Sequence, residues 1–410
     1  MTQPAMTPKE RMFKVLQGEK PDALPAAPGY LCLFLAELER AAYIEQYRAC
    51  MNGRSRYPVD HAQDTHFRAQ ALVQSYQAFK EQPDWIEVGT GASKTWAERT
   101  EIVLRNGDLC YEDKVSGVCV PMNSLPLPYG DKVLTEAIPS GRDIWDISGQ
   151  ISSENLKSRM PIINTDELLD SGEFDLPRQV VREYGEQYFI STILDTPYSD
   201  MYDYLGFRGL MVIQRQNPEL FQTMLERRLK QSMEVMGAWA ASGIHGVYVE
   251  EVFSGADIIS PQNYEKFVFA YNLPYFQHMR TLGLLPIHYV CGDVMPRLEL
   301  MVQYDIAAVA VEESKKKFRI EIDEVVERVA GRKAVFGNID AVRFGIHATP
   351  EEMQAEVGRQ AEIGRQGQGF IVSTGSPFPL ETDVHMIDSM ISAAHSYNMQ
   401  APFNMSKQSA

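Results

Sequence analysis

From Glu183 onward the chain alternates short apolar runs with amphipathic helical stretches, and this alternation constrains the fold more than any other feature. The runs are Tyr188–Leu194, Gly246–Glu250, Leu285–Val290, Ile306–Val311, Ala334–Asn338 and Gly369–Ser373. They are strand-length and rich in β-branched residues, and they lack the strict polar alternation of a half-exposed strand. Such runs suit parallel strands covered on both faces. Helical patterns fill the intervals at Pro218–Ser242, Pro261–Leu282, Met295–Gln303, Ile320–Val329, Pro350–Arg365 and Asp383–His395. Two earlier strands, one reached through Lys20-Pro21-Asp22 to Pro28 and one at Asp84-Trp85-Ile86-Glu87-Val88-Gly89, bring the count to eight. Eight parallel strands with intervening helices predict an α/β fold of the (β/α)8 TIM-barrel type. The competing arrangement is a doubly wound sheet, but no glycine-rich dinucleotide turn follows any strand.

The N-terminal half adds detail. Thr7-Pro8-Lys9-Glu10 is a capping box with proline in the first turn, and it opens a helix that ends near Gly18. Tyr30 to Gln82 reads as mostly helical, with a polar interruption at Asn52-Gly53-Arg54-Ser55. Within residues 96–175 the character changes to an antiparallel β insertion. Thr100–Arg105 and Leu109–Glu112 flank Asn106-Gly107, the strongest short hairpin signal, and Val115–Val120 continues as a strand. The whole of 1–410 is expected to form one barrel domain, with the insertion lying beside or over its mouth.

Bulk properties narrow the function. The formal charge of −16 and a pI near 5.0 argue against nucleic acid as a partner, because phosphate contacts need clustered Lys and Arg. No apolar run approaches the roughly eighteen residues of a membrane span, and the polar start at Met1–Gln17 does not read as a secretory signal. Five cysteines without a C-x-x-C pair predict reduced thiols in a cytoplasmic protein.

Chemistry in such barrels sits where the strands end. Those ends offer Asp195 and Tyr198; Glu250 and Glu251; His288, Cys291 and Asp293; Glu312 and Glu313; Asn338 and Asp340; and Thr374 and Ser376. Each alone has a bland reading, such as a solvated strand end or a turn former. Together they predict a polar ring on one face.

Several motifs in order resemble the uroporphyrinogen decarboxylase and corrinoid methyltransferase superfamily. They are Thr7-Pro8-Lys9-Glu10-Arg11 through Gly18-Glu19-Lys20-Pro21-Asp22, Ser254 to Pro261 with Tyr264-Glu265-Lys266-Phe267, Phe336-Gly337-Asn338-Ile339-Asp340, and Thr349-Pro350-Glu351-Glu352. The methyltransferase branch implies a zinc ion that activates a thiol, held by His-x-Cys at one strand end and by a later Cys. Zinc lowers the pKa of a thiol. Cys291-Gly292 matches that Cys-Gly, but His288 stands three residues before Cys291 rather than two, and Ser376 occupies the place of the later Cys. The resemblance therefore implies His288, Cys291 and Glu251 as metal ligands only if the strand bulges. Otherwise His288 bonds behind the strand and Cys291 is a small apolar residue. The decarboxylase branch presents arginines to a substrate bearing many carboxylates, and Gly29 to Ala36 has none.

The expectation is a methyltransferase moving a methyl group between a small methylated substrate and a corrinoid carried by a partner protein. The chain lacks the D-x-H-x-x-G pattern of a corrinoid carrier. Tyr198, Asp195, Glu251 and His288 would be catalytic, and Glu312, Asn338 and Ser376 would contact substrate. A decarboxylase acting on a smaller carboxylate and a non-catalytic binding barrel stay open, as does a homodimer.

Overall fold

The computed structural model describes residues 6–124, 151–367 and 369–397. Its strands, in chain order, are Arg56–Pro58 (β1), Trp85–Glu87 (β2), Thr100–Arg105 (β3), Asp108–Asp113 (β4), Cys119–Pro121 (β5), Phe189–Asp195 (β6), Gly246–Glu251 (β7), Leu285–Val290 (β8), Ala308–Val311 (β9), Ala334–Phe336 (β10) and Phe370–Ile371 (β11). Seven of them form one parallel sheet, ordered β11-β10-β9-β8-β7-β6-β2.

The sheet curls until its edges meet across the Pro25–Ala27 segment. Ala27 N donates to Val372 O (2.9 Å) and Val372 N donates to Pro25 O (2.8 Å), while on the other side Asp84 N donates to Ala26 O (2.8 Å). This eighth stave is only a β-bridge because Pro25 and Pro28 have no N–H to extend a ladder. The expected TIM-barrel-like fold is therefore present, with its first strand reduced to a few residues.

Side-chain parity along the staves separates two cores. Trp85, Phe189, Tyr248, Ile287, Tyr289, Ala308, Ala310, Phe336 and Ile371 fill the interior, and Met12, Val15 and Leu16 of the helix Pro8–Leu16 plug its lower end. Burying a side chain such as Phe336 contributes about 1.5–3 kcal/mol. Val247, Val249, Val290, Val309 and Val335 point the other way and pack against the surrounding helices. A strand buried on both faces has no polar alternation, which is why these runs read as they do.

At the lower end, Asp84 ties both ends of the chain together. Arg11 Nη1 pairs with its Oδ1 (2.6 Å), and His395 Nε2 sits 2.9 Å from its Oδ2. The helix Pro8–Leu16 carries the predicted capping box at Thr7 and Glu10.

The Asn106-Gly107 hairpin forms as expected. Both residues have positive φ (53° and 93°), which the tight turn between Arg105 and Asp108 requires. The hairpin belongs to an antiparallel sheet ordered β1-β3-β4-β5 that packs beside the barrel. Beside it, Asp64 ties the helices Leu31–Met51 and His61–Tyr76 together by accepting from Tyr43 Oη, Tyr47 Oη (2.7 Å) and Arg68 Nε (2.7 Å). Three details differ from the sequence reading. The polar interruption after Met51 leads into β1, so Tyr30 to Gln82 is two helices, Leu31–Met51 and His61–Tyr76, separated by an edge strand. The last insertion strand begins at Cys119 rather than Val115, because Asp113 Oδ1 caps a turn by accepting from Val115 N and Ser116 N. The later part of the span 96–175 is helical at Leu156–Arg159 and Thr165–Asp170, while 125–150 lies outside the described residues.

Candidate active site

Parity decides which strand-end groups face the interior. On β8, Tyr289 belongs to the interior core with Cys291 packed against it, whereas Val290 joins the outer layer. His288 is three residues from Cys291, so the two point to opposite faces. Its imidazole is fully buried outside the barrel, with ring centroids 4.8 Å from Phe276 and 5.4 Å from Tyr304. Glu251 faces the same side. Its carboxylate accepts from Ser254 Oγ and Asn272 Nδ2 (2.6 Å) and lies 3.1 Å from His288 Nε2. Burial alone would raise its pKa, but His288 above all, with Ser254 and Asn272, holds it below the ordinary 4.5. This is a buried pair behind the sheet, joined through His288 Nε2, while His288 Nδ1 has no partner among the described residues.

The structure therefore divides the three expected metal ligands between two faces. Glu251 and His288 are outside and Cys291 is inside, because β8 runs straight to Val290 without the bulge that would turn His288 inward. Among the described residues, no three His, Cys, Asp or Glu side chains are grouped to hold a metal ion. Cys291 is also a poor ligand as it stands. Burial, together with Glu312 Oε2 at 3.6 Å from Sγ, pushes the thiol up to about 12. The donor set does not fit a thiolate-bound zinc.

Tyr198 is likewise outside the interior. It is fully buried among Met201, Leu205 and Phe221, and its hydroxyl accepts from Gln214 Nε2 (3.0 Å). The three expected substrate contacts all lie at the mouth, held in its rim. Glu312 accepts from Gly292 N (2.8 Å), which a φ of 111° at Gly292 makes possible. Asn338 Nδ2 donates to the carbonyls of Glu312 (3.3 Å) and Ile320 (3.1 Å), and Ser376 Oγ donates to Glu313 (2.7 Å). Lys315 pairs with Glu312 (3.3 Å) and Glu313.

Asp195 does face the interior, and its in-register neighbour on β7 is Glu250. Both are partly solvent-accessible. Burial, reinforced by Asp200, Glu250 and Asp203 and opposed by Arg228, pushes the Asp195 carboxyl up to about 8. Burial raises Glu250 too. Below them three tyrosines form an aromatic floor. Ring centroids are 5.6 Å apart for Tyr30–Tyr248, 5.8 Å for Tyr30–Tyr289 and 5.5 Å for the stacked Tyr248–Tyr289.

Tyr30 reaches this floor through a left-handed backbone (φ 58°), a conformation that costs a non-glycine residue about 1 kcal/mol or more. Glu87 holds it there by accepting from Tyr30 N and Cys32 N (both 3.1 Å). Glu87 is itself buried, and desolvation raises it to about 7 against those backbone donors. A second aromatic residue at the mouth, Phe253 after β7, is also left-handed (φ 61°).

Glu250 was read from the sequence only as one member of the polar ring, with the catalytic role given to Glu251, and Glu87 and the three tyrosines were not singled out. The doublet Glu250-Glu251 does not reveal which carboxylate turns inward, and tyrosines within apolar runs read as core.

The family profile described as uroporphyrinogen decarboxylase (URO-D) matches residues 178–397, which spans β6 to the last described helix. The uroporphyrinogen decarboxylase of Carboxydothermus hydrogenoformans is 24% identical over 178 residues, covering 43% of this chain and 48% of that one. That of Xanthomonas axonopodis pv. citri is 27% identical over 161 residues, covering 37% and 41%. The chain thus spans about half the length of the curated relatives it matches. Among solved structures, a methyltransferase from Methanosarcina mazei superposes with a TM-score of 0.60 at 14% identity, over 95% of this chain and 98% of that one, a likeness of fold. With the profile matched over more than half of its residues, on the strands that build the mouth, the chain belongs to the uroporphyrinogen decarboxylase (URO-D) family.

Proposed function

We propose that this chain is the methyltransferase kind of URO-D barrel, taking a methyl group from a small methylated substrate at the mouth and passing it to a corrinoid carried by a partner protein. The observation that carries this reading is the charge at the strand ends. The strand ends themselves present Asp195, Glu250, Glu312 and Glu313, and the nearest cations after β9 turn to the rim or to solvent: Lys315 pairs with Glu312 and Glu313, Arg319 lies near Glu321, and Lys316 and Lys317 are exposed. A substrate bearing many carboxylates would meet repulsion inside the barrel, and among the described residues no Lys or Arg forms an ion pair with Asp195 or Glu250 for a small carboxylate to share. That weighs against decarboxylation, the activity named for the curated relatives. The raised carboxyls of Asp195 and Glu87 weigh against a non-catalytic barrel, because perturbed acids gather where chemistry is done.

When bound, the corrinoid would supply a reduced cobalt able to take up a methyl group. The protein's own part is to hold the substrate over the tyrosine floor with its methyl group turned to the mouth. Asp195, protonated at neutral pH, can donate a proton to a leaving oxygen or sulfur; a leaving neutral amine needs none. No step is assigned to zinc. The test is to incubate the protein with chemically reduced cobalamin and a panel of methylated amines, ethers and sulfides, following methylation by the visible spectrum. Methylation that depends on the protein supports the reading. Release of CO2 from a carboxylic acid, with no methylation, replaces it with a decarboxylase.

A further inference from the structure

The mouth has an unbalanced chemistry that methyl transfer alone does not explain. Asp195 and Glu250 stand side by side on β6 and β7, facing inward, and no Lys or Arg among the described residues lies within ion-pair distance of either. The nearby cation, Arg228, is engaged by Asp200 (2.6 Å). Beneath the two carboxylates lies the floor of Tyr30, Tyr248 and Tyr289. The Tyr30 hydroxyl is a second, independent observation at the same place. Its residue is 7% exposed, and the hydroxyl lies against Glu250 yet makes no hydrogen bond of good geometry to anything described.

Two carboxyl groups without a cation of their own, set above aromatic rings, suit a compact organic cation, whose charge would return Asp195 to its ionised form. Each ring face contributes about 0.5–2 kcal/mol by cation–π attraction, and methylated ammonium groups are the usual guests of such cages. The same groups leave little for an anion or an uncharged polar group to bind. We infer that the interior site binds a small methylated cation, a quaternary ammonium or sulfonium compound, between Asp195, Glu250 and the tyrosine floor. This rests on the methyl-transfer reading for calling the cation a substrate; the binding itself does not.

The experiment is calorimetric titration of the full chain with choline and with 3,3-dimethyl-1-butanol, its uncharged carbon isostere. Choline is expected to bind at least tenfold tighter than the isostere. Glu250→Gln and Asp195→Asn should each weaken choline at least tenfold, and Tyr30→Phe should keep most of the affinity because the ring face remains. Glu351→Gln, which removes one exposed charge elsewhere, should change nothing and so controls for the overall negative charge. Equal affinity for choline and isostere, no binding of either, or choline binding untouched by both carboxylate variants would each overturn the proposal. A site that takes up Zn2+ and ignores choline would do the same. Choline bound as predicted but never demethylated in the cobalamin assay would leave the cation site standing and remove the methyl-transfer reading. Methylation from a neutral ether, with choline unbound, would do the reverse.

Discussion

Replacing Glu251 by Ala separates the outer face of the barrel from the inner one. Its carboxylate is fully buried and serves three donors, from Ser254, Asn272 and His288. Truncation leaves Asn272 Nδ2 and His288 Nε2 buried without an acceptor, and breaking a buried pair in this way costs about 3–5 kcal/mol. For 410 residues the unfolding entropy is roughly 0.9 kcal/mol per kelvin, so the melting temperature should fall by about 3–6 °C. Thermal melts by circular dichroism measure this, and choline titration of the same variant reads the site. Glu251→Ala should lower the melting temperature and leave choline affinity within twofold. Glu250→Gln should leave the melting temperature within about 1 °C and lose the affinity. The pH dependence carries the same signature. The folded-state pKa of Glu251 lies below its ordinary 4.5, so its contribution is present above 4.5 and is lost as pH falls through the depressed value. A Glu251→Ala protein that melts like the wild type but no longer binds choline would refute the assignment of the two faces.

Asp195→Asn should stabilise the protein at pH 7 by about 1–2 kcal/mol while weakening its ligand, the usual opposition of stability and function. The folded carboxyl titrates near 8 against 3.8 unfolded, so wild-type stability declines as pH rises between those values, and the advantage of the variant should vanish below pH 3.8 in denaturant titrations. His395→Gln should destabilise more at pH 6 than at pH 9. Burial lowers the His395 pKa but Asp84 and Glu81 more than restore it, so its stabilising charge is present at low pH and lost as pH rises through the folded value. Asp64→Asn should loosen the helices Leu31–Met51 and His61–Tyr76 from each other, seen as faster amide exchange in both, because Tyr43, Tyr47 and Arg68 all donate to that carboxylate.

The staves after Glu183 were legible because burial on both faces leaves continuous β-branched runs, and the hairpin because Asn106-Gly107 suits a turn with two positive φ angles. The first stave was nearly silent, since its prolines leave too few N–H groups for a ladder. β1 was missed because Arg56-Tyr57-Pro58 is an edge strand recognised only by its partner β3. The site was harder to read. The rule for such barrels points to the strand ends, and the structure turns Asp195 inward there. Yet Glu251, His288 and Tyr198 were assigned there by chemical type, while strand parity turns Glu251 and His288 outward and the loop after β6 buries Tyr198 among Met201, Leu205 and Phe221. Which member of Glu250-Glu251 faces in depends on a register set by β6 and β8, and no local pattern encodes that.

The closure across Pro25–Ala27 has a consequence for how the chain comes to be folded. The segment pairs on one side with Asp84 and on the other with Val372, and Asp84 also waits for His395. During synthesis, therefore, the sheet grows stave by stave with one edge exposed until residues beyond β11 leave the ribosome. Contacts this distant in sequence form late, because the loop entropy must be met before they contribute. Until then the open edge is a template for pairing with another chain. The brevity of the first stave and its two prolines limit that hazard, since they offer a nascent neighbour few donors to pair with.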